Sequence, residues 1–174
     1  MNKTSVSCGF SLLEVMLTII LFSVLLAIAV PQYHIRIMTE EIKNAASETE
    51  GIILHAKSLA LSAGEPLWLD ILRTETADQS PRWRVILHHN RHFLPQDVIQ
   101  EVSGDFYPDV VLSSGLITPQ IRIDHLTGRP EANGSLQLFL RRSPEKIVKI
   151  LISYGAGRVR TCSAGEAYYG FPAC

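Results

Sequence analysis

Three groups of residues in this chain have types and spacings that would do chemistry. Glu14 is a carboxylate inside a 21-residue run, Phe10 to Val30, whose other polar members are Ser11, Thr18 and Ser23. A carboxylate carried into a bilayer costs a few kcal/mol and normally implies an oppositely charged partner. Near the far end, Arg158 and Arg160 follow Gly157. In an extended segment residues two apart project to one side, so these guanidinium groups form a pair suited to successive phosphates. A blander and commoner use is also open to them, solvating a strand or meeting a neighbouring subunit. The third group, His88, His89 and His92, looks like metal ligands on paper. His88 and His89 would face opposite sides of a strand, and no nearby cysteine or acid completes a set. No metal and no cofactor is expected.

Other patterns dissolve on inspection. Ser143-x-x-Lys146 copies the nucleophile motif of penicillin-binding enzymes, but it reads as a turn and lacks its partner motifs. Asn133-Gly134-Ser135 fits a glycosylation sequon and reads equally as a turn, the reading preferred here. With no phosphate loop, dinucleotide fingerprint or nucleophile elbow, the chain is not expected to be an enzyme.

The elements that must position these residues follow from periodicity. The apolar run would span about 30 Å as a helix, the thickness of a bilayer core. An ordinary signal peptide has a small-residue cleavage site after its apolar region; here the small residue, Gly9, comes before it. Lys3 and the amine upstream place that end on the cytoplasmic side. Beyond Pro31 an apolar stripe continues through Ile42, Ala45, Ala46, Thr49, Ile52, Ile53, Ala56, Leu59 and Ala60, opposite Glu41, Lys43, Glu48 and Glu50. Gly64 caps it and Pro66 follows, which predicts one helix from Phe10 to about Ser62.

After Gly64 the period becomes two. Strands are expected at Leu67–Leu72, Trp83–His88, Val110–Ser113, Gln120–Asp124, Leu136–Arg141, Ile147–Ser153 and Arg158–Cys162. Ser143 to Lys146 reads as a hairpin turn, and Asn90–Pro108 as a loop or short strands. The fold class is α+β, a long helix on an antiparallel sheet.

The 174 residues, 47% apolar and 19% charged, suffice for one modest domain and one membrane element. The net charge of -1 hides an asymmetry. Arg122 to Cys174 carries eight basic and four acidic residues, hence +4, whereas Phe10 to Ile121 carries seven and thirteen, hence -6. Such separation along the chain allows a localised basic surface.

Gly9-Phe10-Ser11-Leu12-Leu13-Glu14 resembles the processing site of type IV pilins and type II secretion pseudopilins. The resemblance implies a leader, 1–9, removed by a prepilin peptidase that cleaves after Gly9 and methylates the new N-terminus, Phe10. It implies a transmembrane helix over 10–30, an amphipathic continuation over 31–63 and a periplasmic β-rich domain over 64–174. Glu14 would dock against the terminal amine of a neighbouring subunit, because a buried carboxylate and ammonium are each costly alone and tolerable together. Pro31 matches the position where the family's helix bends or melts. A plain anchor has no use for Glu14, which argues against a membrane-anchored binding protein outside any filament.

The rest of the chain resembles the FimT/FimU and GspH group of minor pilins and pseudopilins. Ile123 to Pro130, Asn133 to Leu136, and Gly157 to Cys162 occur in the group's order, while Ser80–Pro108 shows no shared feature. FimT-like pilins of natural competence carry a G-R-x-R motif implicated in DNA binding, matched by Gly157, Arg158 and Arg160. Lys149 on the neighbouring strand, with Arg141, Arg142 and Lys146, could enlarge that patch. Cys8 lies in the leader; Cys162 and Cys174 are then most simply a disulfide. The resemblance therefore implies an inner-membrane subunit, single-pass with a periplasmic domain, assembling with major and minor pilins. It would be a minor pilin that primes a type IV pilus and touches duplex DNA. The alternative is a GspH-like pseudopilin of a type II secretion system.

Overall fold

The computed structural model describes residues 11–75 and 81–174. The chain divides into two compact units, Met1–Ile37 and Met38–Cys174. A single helix, α1 (Leu12–Ala63), contributes to both, and its backbone is helical through Pro31. The leader, Gly9 and Phe10 lie outside the described residues.

In the first unit, Leu12–Ala29 is 18 residues long with a mean hydropathy of 2.7, and none of it is buried by the protein. It is long and apolar enough to cross a membrane. Within the second unit α1 turns a stripe inward: Ile42, Ala45, Ala46, Thr49, Ile52, Ile53, Ala56 and Ala60 are all buried. Glu48 is exposed, and Glu41, Lys43 and Glu50 flank the stripe and are half-exposed. Burying an isoleucine such as Ile53 contributes about 1.5–3 kcal/mol, so the stripe fastens the helix to the sheets. The helix ends where expected. Gly64 adopts φ +70° and donates to the Ala60 carbonyl over 3.0 Å, a left-handed cap that a side chain would strain.

Eight strands follow among the described residues, β1 (Leu67–Glu75), β2 (Pro81–His88), β3 (Val98–Ser103), β4 (Val110–Ser114), β5 (Gln120–Ile123), β6 (Gly134–Leu140), β7 (Ser143–Ser153) and β8 (Arg158–Ser163). They form two antiparallel sheets instead of one, in the orders β3-β2-β1-β5 and β4-β6-β7-β8. Alternate residues of each sheet (Leu69, Val85 and Ile121 in the first, Leu112, Leu138 and Ile150 in the second) join the helix stripe in one core. Trp83 bridges the sheets. Its indole N–H donates to the Val110 carbonyl over 3.0 Å, and its ring stacks on Tyr107. Gly104 makes room for it, since a Cβ there would lie 2.5 Å from Trp83 Nε1.

Two turn expectations are corrected. The β6–β7 hairpin turns at Arg141-Arg142, with Leu140 directly opposite Ser143; Ser143 to Lys146 belong to β7. Pro144 is tolerated there because the ladder is irregular between Leu138 and Leu140 and β8 begins pairing only at Val148. Gly134 and Ser135 begin β6 instead of forming a turn. The Asn133 side chain is used structurally, accepting from the Tyr154 N–H over 2.8 Å.

Candidate functional site

Among the described residues of the membrane-length segment, polarity is accounted for except at one point. The Thr18 hydroxyl donates to the Val15 carbonyl and that of Ser23 to the Ile19 carbonyl, each over 2.8 Å. Both groups are thereby satisfied within the helix. The exposed carboxylate of Glu14 has no partner among the described residues. A lipid environment penalises such a group until an oppositely charged partner meets it.

At the other end, β8 is an edge strand whose alternation sorts its residues by face. Val159 and Thr161 turn inward, and the Thr161 hydroxyl donates to Glu50 of α1 over 2.9 Å. Arg158 and Arg160 turn outward, opposite Ser153 and Leu151 of β7, and both are exposed. Lys149 stands opposite Cys162 on that same outward face, diagonal to Arg160. None of these three cations is in an ion pair among the described residues. Lys146 differs, lying 5.7 Å from the centre of the Tyr168 ring, while Arg141 and Arg142 sit exposed at the hairpin tip.

The strand is held at both ends. Gly157 precedes it with φ +58°, and the Lys57 ammonium of α1 donates to the Gly157 carbonyl over 2.6 Å. At the other end the Cys162–Cys174 disulfide joins the tail to β8, with a Cα–Cα distance of 5.1 Å. The tail also pairs through its backbone: Ser163 donates to Pro172 over 2.8 Å and Cys174 to Ser163 over 3.0 Å. The buried Ser163 hydroxyl lies within 3.2 Å of the carbonyls of Glu166, Phe171 and Pro172 and accepts from Tyr168 N–H.

The histidines do not converge. His88 is fully buried with Nε2 3.1 Å from Asp70 and its ring edge-on to Phe93, while His89 and His92 are exposed. An acid does therefore sit beside His88, supplied by β1 across the sheet. Among the described residues no three His, Cys, Asp or Glu side chains gather as metal ligands. Sequence reasoning overlooked two clefts of about 510 Å³ each that share Thr118 and Glu131. One is lined by Asn133 and Tyr154, the other by Trp68, Arg91 and Arg122, with Arg122 ion-paired to Glu131 at 2.6 Å. Trp68 directly opposite Arg122 was the available signal, but it depends on the β1–β5 register.

Residues 5–30 match the prokaryotic N-terminal methylation motif. The fold is similar to that of the minor pseudopilin EpsH from the type 2 secretion system of Vibrio cholerae. That likeness has a TM-score of 0.51 and 15% identity, and covers 72% of this chain and 99% of that one. No curated protein sequence matches the chain. A methylation motif thus overlaps a helix long and apolar enough to cross a membrane, and the domain that follows has a fold similar to that of a minor pseudopilin. The motif and the fold both agree with the expected resemblance to type IV pilins and GspH-like pseudopilins.

Proposed function

We propose that this chain is a minor pilin of a type IV pilus, taking part in priming the filament and holding duplex DNA on its β8 face during uptake. The observation that carries the DNA reading is Arg158 and Arg160 side by side on one outward face, with no acid paired to either among the described residues. Unneutralised guanidinium groups two residues apart sit roughly 7 Å apart along a strand and offer phosphates sequence-independent contacts. Lys149 adds a further charge on the same face.

In this reading the peptidase cleaves after Gly9 and methylates Phe10. Glu14 docks on the terminal amine of a neighbouring pilin, its carboxylate having no partner among the described residues. Pro31 allows α1 to bend in the assembled filament. The domain stands on the periplasmic side of the inner membrane. A second reading, a minor pseudopilin of a type II secretion system, is favoured by the fold shared with EpsH. Deletion of the gene separates the two: loss of piliation and DNA uptake with secretion intact supports the pilus, and the converse supports the secretion system.

The DNA reading is tested with the mature chain in dodecyl maltoside micelles and a fluorescent 30-bp duplex, by anisotropy across a salt series. Binding should weaken as salt rises, and Arg158→Gln with Arg160→Gln should weaken it further and reduce the log–log salt slope by about two. Absence of binding, or binding indifferent to the double substitution, would refute the assignment.

A further inference from the structure

We infer that Arg129 is a further phosphate-binding residue of this surface, and that Gly157 is glycine so that Arg129 can lie across it. This rests on the DNA reading of β8 and adds a residue from a different segment. A Cβ built on Gly157 would stand 2.8 Å from Arg129 Cγ, 3.4 Å from its Cδ and 3.5 Å from its Nε. The arginine stem therefore runs over the Gly157 α-carbon, delivering its guanidinium beside the residue that precedes Arg158.

The backbone carrying Arg129 is anchored. Its carbonyl accepts from the Asp124 N–H over 2.9 Å, and its N–H donates to the Thr127 hydroxyl over 3.4 Å. Gly128, at φ +64°, packs so closely on α1 that a Cβ would lie 2.8 Å from Leu61 Cδ1. Lys57 of the same helix reaches the Gly157 carbonyl. Helix end, loop and β7–β8 turn thus meet at one junction, where two cationic side chains, Lys57 and Arg129, converge on one glycine.

The neighbouring acids are committed elsewhere. Asp124 accepts from Thr127 and Leu126, Glu131 pairs with Arg122, and Glu50 accepts from Thr161. Arg129 itself is exposed and in no ion pair among the described residues. A cation fixed by its stem and unneutralised at its tip is prepared for a phosphate at little conformational cost.

Arg129→Met keeps the stem that packs on Gly157 and removes the charge; Arg129→Lys keeps the charge. In the same salt series, Arg129→Met should bind duplex DNA roughly three- to tenfold more weakly, with a salt slope reduced by about one. Its melting temperature should match that of the unaltered chain, and Arg129→Lys should recover most of the affinity. Arg129→Met binding with unaltered affinity and slope, while the Arg158/Arg160 variant fails, overturns this inference and leaves the proposed function standing. A weaker Arg129→Met with an unchanged slope and a lowered melting temperature also overturns it, by reducing Arg129 to packing. No binding by the unaltered chain removes both.

Discussion

Lys57 of α1 donates to the carbonyl of Gly157, 2.6 Å away and 100 residues further along the chain. The bond ties the helix to the turn that launches β8. It is charge-assisted and partly buried, so its loss leaves a carbonyl with a poorer partner. Lys57→Met should cost about 1–2 kcal/mol in urea unfolding, with no change in the slope of the transition. Gly157→Ala should cost at least as much, because φ +58° is strained for alanine and its Cβ would collide with Arg129. A Lys57→Met midpoint equal to that of the unaltered chain would show that solvent replaces the bond without loss.

The tail beside β8 should depend on the disulfide and on one hydroxyl. Cys162 and Cys174 are 12 residues apart, so reducing their bond should cost roughly 2–3 kcal/mol on the chain-entropy account. Ser163→Ala should cost about 1–2 kcal/mol with the disulfide intact, since Tyr168 N–H loses its acceptor. Amide exchange of Cys174, bonded to the Ser163 carbonyl, should accelerate on reduction. Unchanged exchange would mean the tail is held by its backbone pairing alone.

The helix and seven of the eight strands were legible because each repeats a burial pattern, α1 at three- and four-residue steps and β6 as Leu136, Leu138 and Leu140. β3 falls in the stretch read as a loop or short strands and its bounds were not legible, because only Val102 of its six residues is buried and its alternation is correspondingly faint. The β6–β7 turn was misplaced because Ser143 and Pro144 have turn chemistry yet fall in an irregular stretch of ladder, while the true turn is two arginines. The β8 arginines could be read from their two-residue spacing. Arg129 could not, since nothing local announces that it crosses Gly157; nor could the Asp70–His88 pair, which depends on strand register. Local periodicity is written in neighbouring residues, whereas convergence at a site is a property of the assembled core.

Asp124 organises the loop that presents Arg129. Its carboxylate accepts from the Thr127 hydroxyl at 2.6 Å and from the N–H groups of Thr127 and Leu126. The Thr127 hydroxyl foremost, then those backbone donors, hold its pKa below the ordinary aspartate range against the opposing effect of desolvation. A depressed folded-state pKa stabilises above the ordinary value, near 3.9, and that contribution disappears as pH falls through the lower folded value. Thr127→Val should move the Asp124 pKa upward in a carbon-detected NMR titration. A pKa that stays put would assign the depression to the backbone donors and the neighbouring His125.

Glu41 should act in the opposite sense. Its Oε2 is buried with no hydrogen-bond partner among the described residues, and burial, followed by the charge of Asp109, pushes its pKa above the ordinary carboxylate range. The folded state then holds this proton more tightly than the unfolded chain. Stability is therefore greatest below the ordinary glutamate value, near 4.3, and declines as pH rises towards the raised folded pKa, after which the penalty is constant. Glu41→Gln removes the charge while keeping the shape, so it should raise the melting temperature at pH 7 and leave it unchanged near pH 3. Asp109→Asn should move the melting temperature at pH 7 in the same direction by less, because the carboxylate it relieves is the second cause and burial is the first. Equal effects of Glu41→Gln at both pH values would show that the substitution acts through packing and that the carboxyl proton plays no part.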